Sequence, residues 1–194
     1  MYKRQALSPD GRTMALATSI GSGAGVEIVD VATLRRRIRL PESNGLMTAA
    51  RFTPDGRFLV GASMSGWVRL WSTDTWQPVS RRLPARIGPV MSLAVSPDSE
   101  TLAAGSNDGA IQLFDVRSQQ PIGTPLTAVP HRPVAPLFTR DGSYLFGITD
   151  TGLAYRWDVR PSSWARQACT IAGRGLTRAE WQDVLPGRDY APAC

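Results

Sequence analysis

The sequence predicts an all-β chain of about four four-stranded antiparallel units, followed by a short helical tail. Two markers carry that prediction. The turn SPDG at Ser8–Gly11 returns as TPDG at Thr53–Gly56, SPDS at Ser96–Ser99 and TRDG at Thr139–Gly142. Its aspartates Asp10, Asp55, Asp98 and Asp141 stand 45, 43 and 43 positions apart. Independently, the strand-like runs VEIVD, VRLWS, IQLFD and YRWD end at Asp30, Ser72, Asp115 and Asp158, in steps of 42, 43 and 43. Two markers sharing one period of that size define a repeat architecture.

Each period opens with an apolar run into the turn, clearest in PVMSLAVSPD (Pro89–Asp98) and PVAPLFTRD (Pro133–Asp141). Proline then fixes φ, and glycine accepts backbone conformations closed to other residues. A second run follows: TMALATS, FLVGASM, TLAAGSN and YLFGIT. After a glycine-bearing turn (Gly25, Gly66, Gly109, Gly152) comes the third strand, VEIVD, WVRLW, AIQLFD and LAYRWD. A weaker fourth is expected around Arg36–Leu40, Pro78–Leu83 and Pro121–Thr127. The first repeat is expected to lack its innermost strand, since only MYKRQAL precedes the turn. The last is expected to pass from WDVRPSSW into the tail without a fourth strand. The repeats thus fall near 5–45, 46–88, 89–131 and 132–160, with the tail over 161–194. One such meander leaves both faces apolar and must stack on its neighbours. Radial stacking does this while protecting most strand edges.

Composition narrows the classes. In 194 residues, 42% are hydrophobic and 20% charged, which excludes a disordered chain. No stretch approaches the roughly 18 apolar residues that span a bilayer, and MYKRQALSP has no apolar region of a signal peptide; a cytoplasmic location is expected. The net charge of +6 invites a nucleic-acid reading. Yet the arginines are spread through every repeat, and Trp67 with Arg69 and Trp76 near Arg81 and Arg82 are the only aromatic–basic pairings it offers. The run RRRIR (Arg35–Arg39) alternates arginine with Ile38 and Leu40, as a solvated edge strand does.

The segments SPDG, AAGSNDGAIQLFDV and YRWDV resemble a WD-repeat β-propeller of the tandem bacterial type, over roughly residues 6–160. The resemblance implies a partial β-propeller of WD40-type blades. The family's Gly-His pair before the first strand is absent from repeats two and three, where Arg86-Ile87-Gly88-Pro89-Val90 stands in the third; His131 alone matches the histidine. Asp108 aligns with the family's turn aspartate, but repeat four has Thr151 there, with Asp150 one place earlier. The four turn aspartates, Asp108 and His131 are therefore expected to be structural, with blade packing resting on Trp71, Phe114 and Trp157. Members usually have seven blades, so the resemblance implies the C-terminal portion of a longer chain.

In the tail, Ser162 or Ser163 is expected to cap a helix through Trp164, Ala168 and Ile171 that ends at Gly173. Thr177 and Glu180 in LTRAEWQDVLPG have capping-box spacing, with Leu185-Pro186-Gly187 as the close. The Ala-Cys pair, LTRAEW, LPG and the final Tyr and Cys resemble the C-terminal extension of multidomain bacterial signalling proteins, including some STAND-type NTPases. Cys169 and Cys194, 25 residues apart, can close a disulfide, but in a cytosolic chain they are expected reduced and packed. Two cysteines do not make a structural zinc site. Trp164 and Trp181 are expected to anchor the tail.

These features predict a non-enzymatic scaffold for protein partners or for upstream domains of the same polypeptide. Its binding loops are residues 84–89 and 128–133 between repeats and 64–66, 107–109 and 149–151 within them, because loops vary where a repeated frame is fixed. The candidates there are Met64, Trp67, Arg86, Ile87, Asn107, Arg132 and Asp150. Catalysis is not expected: there is one histidine, GASMSG (Gly61–Gly66) lacks the nucleophile-elbow spacing, and no helix follows GSGAG (Gly21–Gly25) to hold a phosphate. No cofactor, metal, small-molecule, membrane or nucleic-acid partner is expected.

Overall fold

A computed structural model describes residues 5–18, 25–41, 46–79, 81–128, 130–175 and 177–180. The chain divides into two compact units, Met1–Arg156 and Trp157–Cys194.

The first unit is a stack of antiparallel meanders. Sheet 1 holds β1 (Gln5–Leu7), β2 (Thr13–Thr18), β3 (Gly25–Asp30) and β4 (Arg36–Pro41). Sheet 2 holds β5 (Met47–Phe52), β6 (Phe58–Ser63), β7 (Trp67–Ser72) and β8 (Leu83–Pro84). Sheet 3 holds β9 (Val90–Val95), β10 (Thr101–Ser106), β11 (Ala110–Asp115) and β12 (Pro121–Thr127). Sheet 4 has three strands, β13 (Val134–Phe138), β14 (Tyr144–Thr149) and β15 (Ala154–Asp158). The architecture is a partial β-propeller with a short helix after it.

Two expectations are corrected. Repeat one does have its innermost strand: Gln5, Ala6 and Leu7 pair with Leu16, Ala15 and Met14. Three residues before the turn suffice, because β2 supplies the whole ladder. The fourth strand of repeat two is broken: Pro78 bridges Trp71, Val79 N donates to the Leu70 carbonyl, and β8 resumes only at Leu83–Pro84. Pro78 and Pro84 bring no N–H to the ladder.

The turn markers explain themselves in hydrogen bonds. Ser8 Oγ donates to Asp10 Oδ1, which also accepts from Arg12 N, while Thr13 N donates to Ser8 Oγ. Thr53–Asp55–Arg57–Phe58, Ser96–Asp98–Glu100–Thr101 and Thr139–Asp141–Ser143–Tyr144 repeat the set. One turn is written four times because each closes the first hairpin of a blade.

Stacking follows from side-chain alternation. Every interior interface joins the forward face of one sheet to the backward face of the next. Ala15, Ala17, Val26 and Ile28 of sheet 1 meet Met47, Ala50, Phe52, Leu59, Trp67 and Trp71 of sheet 2. Val60, Ala62, Val68 and Leu70 then meet Leu93, Leu102, Ala104 and Phe114. The forward face is small and the backward face large, so Trp71 and Phe114 seat over alanines at crystal-like density. Contacts between sheets run mainly through first strands, β1 to β5, β5 to β9 and β9 to β13. Thr48 Oγ1 donates to the Val90 carbonyl (2.6 Å) and Ser92 Oγ to the Val134 carbonyl (2.9 Å), one period on in each case. At Gly105 an added Cβ would strike the Val134 carbonyl and Pro136, so only glycine allows sheet 4 this close.

The second unit contains α1 (Pro161–Ala172). Its N-cap is Arg160, in extended conformation, with Pro161 in the first turn, so the serines do not cap it. Instead Ser163 Oγ donates to Asp158 Oδ2 and Trp164 Nε1 to the Asp158 carbonyl (2.6 Å). Gly173 ends the helix at φ +69°, its N–H bonded to the Cys169 carbonyl. Thr177 and Glu180 form the capping box reciprocally, and Arg174 grips the same carboxylate, holding it at about 2. Cys169 is disulfide-bonded, against the expectation of a reduced thiol; with no apolar seat on this half-exposed helix face, pairing replaces packing. Cys194, Trp181, Leu185-Pro186-Gly187 and residues 21–24 of GSGAG lie outside the described residues.

Candidate functional site

The stack has two rims. On one lie the aspartate turns, which touch in series: Gly56 lies against Pro9, Asp55 N donates to Ser99 Oγ (3.0 Å), and Gly142 lies against Pro97. Thr73 Oγ1 ties the β7–β8 turn to the Gly56 carbonyl (2.6 Å). Asp10 is drawn down by the Ser8 hydroxyl and Asp141 to about 2 by the Thr139 hydroxyl and Ser143. At Asp55 burial pushes upward, but Thr53 and Arg57 outweigh it and the carboxyl is lowered. These carboxylates are spent within their own turns.

The opposite rim carries the candidate loops, and they too are strung together. Met64 N donates to the Leu46 carbonyl, Ala85 N to Gly66, Asn107 N to Pro89, His131 N to Asp108 and Ala128 N to Gly109. Gly88 lies against the Asp108 carboxylate and Gly66 against the Gly88 carbonyl, positions with φ of +75° and +80° that leave no room for a Cβ. Arg86 and His131 are also left-handed, which turns both side chains outward. Arg132 reaches Asp150 at 3.7 Å, both half exposed. Met64, Arg86, Asn107, Arg132 and Asp150 are thus exposed on one continuous rim, with Asp108 beside them.

Two candidates leave that set. Trp67 is 7% exposed and Ile87 6%; they belong to the cores between sheets 1 and 2 and between sheets 2 and 3. Trp67 also holds the Arg82 guanidinium over its ring at 5.0 Å. The alternation of WVRLW pointed to this: Trp67 shares the parity of Trp71, and Trp71 is core. His131 acts through its backbone, its ring being exposed, because the left-handed φ points it away from the strand tryptophans. Asp108, missed as a surface group, could have been found from its place between Asn107 and Gly109 in a strand-joining turn.

GASMSG is strand end and turn: Gly61–Ser63 finish β6, and the space over Gly61 is filled by Met47 and Trp71. Among the described residues no three His, Cys, Asp or Glu side chains group to hold a metal ion. Among the described residues no helix is long and apolar enough to cross a membrane.

Four repeated meanders stacked face to face, with hydrogen-bonded loops on one rim, define a WD40-repeat chain of blade type. Residues 36–72 and 79–115 match the WD40 family, described as WD domain, G-beta repeat. The chain is similar to WD repeat-containing protein 82 of Drosophila melanogaster, 32% identical over 76 residues. That stretch is 38% of this chain and 23% of the fly protein, so the chain matches under a quarter of that relative's length.

Proposed function

We propose that the chain is a non-enzymatic scaffold whose partner-binding surface is the rim bearing Met64, Arg86, Asn107, Asp108, Arg132 and Asp150. WD40 repeats are in general protein-interaction scaffolds, and the observation favouring this rim is its unbroken series of loop-to-loop hydrogen bonds. A rigid rim presents its side chains with little ordering cost on binding. Its mixture of two arginines, two aspartates, an asparagine and an exposed methionine suits a polar protein surface with one apolar contact. The turn rim offers less, because its carboxylates already have partners.

The wider reading is a cytoplasmic role as the C-terminal interaction part of a larger bacterial signalling protein, with the blades as one domain over 1–160 and the tail as an extension over 161–194. The tail's capping box and the tandem blades support it. The test compares partners captured by the wild-type chain, by Arg86→Glu/Arg132→Glu and by Asp74→Lys on the turn rim. Partners lost only in the first variant support the reading; partners lost only in the second overturn it.

A further inference from the structure

The interior interfaces obey a size rule that the two ends of the stack reverse. On β2, β6 and β10 the last forward-facing residue is Ala17, Ala62 and Gly105, all buried; the same position on β14 is Ile148, 40% exposed. One step back, Ala15, Val60 and Ala103 become Phe146, and beside it on β13 stands Leu137, 55% exposed, where β9 has Ala94. The forward face of sheet 4 is therefore large where the others are small.

The backward face of sheet 1 departs in the opposite sense. Sheets 2 and 3 carry Trp71 and Phe114 at the aromatic position of the third strand, and sheet 1 has Val29. Where sheet 2 has Trp67, sheet 1 has Gly25. Around that shallow centre lie Met14, Leu16 and Leu7, the last 58% exposed. Packing tolerates exchanges that conserve summed volume and resists those that do not. A large forward face needs a backward face emptied at its centre, and this chain carries one.

Charge matches as well. On the third strand, the forward row is Val26 and Ile28, Val68 and Leu70, Ile111 and Leu113 in sheets 1 to 3, but Ala154 and Arg156 in sheet 4. Arg156 lies over the Tyr144 ring at 4.8 Å. The backward row of sheet 1 presents Glu27, held by Arg36 at 3.3 Å with part of its surface open. An ordinary blade-to-blade contact continued past sheet 4 brings an arginine against a face bearing that glutamate.

We propose that the forward face of sheet 4 docks on the backward face of sheet 1 of a second copy of this chain, head to tail. The contact continues the interface already repeated inside the stack, with Ile148, Phe146 and Leu137 over Val29 and Gly25, and Arg156 beside Glu27. Such a contact is heterologous, and two copies satisfy both faces when the rotation closes.

The test is the mass in solution of the whole chain by sedimentation equilibrium, with circular dichroism to show that each variant is folded. The wild type is expected at twice its 21.0 kDa. Arg156→Glu and Glu27→Arg should each sediment as folded monomers, and an equimolar mixture of the two should recover the doubled mass, since both interfaces then pair opposite charges. A wild type that stays monomeric at its highest soluble concentration overturns the proposal. So does a dimer untouched by Arg156→Glu, by Glu27→Arg and by Ile148→Arg. The rim variants Arg86→Glu and Arg132→Glu should leave the mass unchanged.

Discussion

The turn rim and the loop rim close the same sheets at opposite ends, yet one repeats its chemistry and the other does not. Every aspartate turn uses a hydroxyl and a carboxylate in the same bonds, because closing a hairpin is the same task in each blade. The loop rim keeps only its backbone bonds, and the outward side chains differ from Met64 to Arg86 to Arg132. A repeat protein thus separates what builds the frame from what the frame displays.

Deepest in the frame lies Trp71, 2% exposed, over the alanines of sheet 1. Trp71→Ala should cost about 3–5 kcal/mol in urea unfolding; a loss below about 1 kcal/mol would mean that packing does not hold blades together. Next comes Gly105→Ala, which drives a methyl into the Val134 carbonyl and should cost about 1–3 kcal/mol. If it is neutral, sheets 3 and 4 are less tightly apposed than described. Asp141 gives a smaller effect with a defined direction. Its folded pKa of about 2 lies below the usual 3.8, so its contribution is whole above 3.8 and fades as pH falls toward 2. Asp141→Asn should lower the urea midpoint at neutral pH and lose that difference by pH 2; a difference that persists at pH 2 would show that the charge is not what matters. Smallest for the frame is Arg132→Ala, where an exposed pair with Asp150 at 3.7 Å should change stability by under about 1 kcal/mol. Its effect belongs in partner capture, and a large stability loss would move Arg132 from display to frame.

The period, the turns and the packing tryptophans were legible because each rests on local chemistry: Asp-Gly turns, alternation and strand ends. Trp67 and Ile87 were misplaced because their loops sit on the rim while their side chains point into the cores. Loop membership is local; burial depends on which neighbouring sheet arrives. The same reason hid the ends. Nothing in YLFGIT alone says that Ile148 stands where other blades have alanine or glycine; only the register across four sheets does. Cys169 was read from compartment and not from its helix, where no buried seat exists.

Sheets in this unit touch chiefly the sheet before and the sheet after, and Thr48 and Ser92 reach one period ahead and no further. Loop-closure cost grows with the length of chain to be gathered, so contacts confined to about two periods keep that cost low. A blade therefore needs only its predecessor to find its place, and the stack can assemble from the amino end while the rest is still being synthesised. Each new meander arrives on a surface already waiting for it.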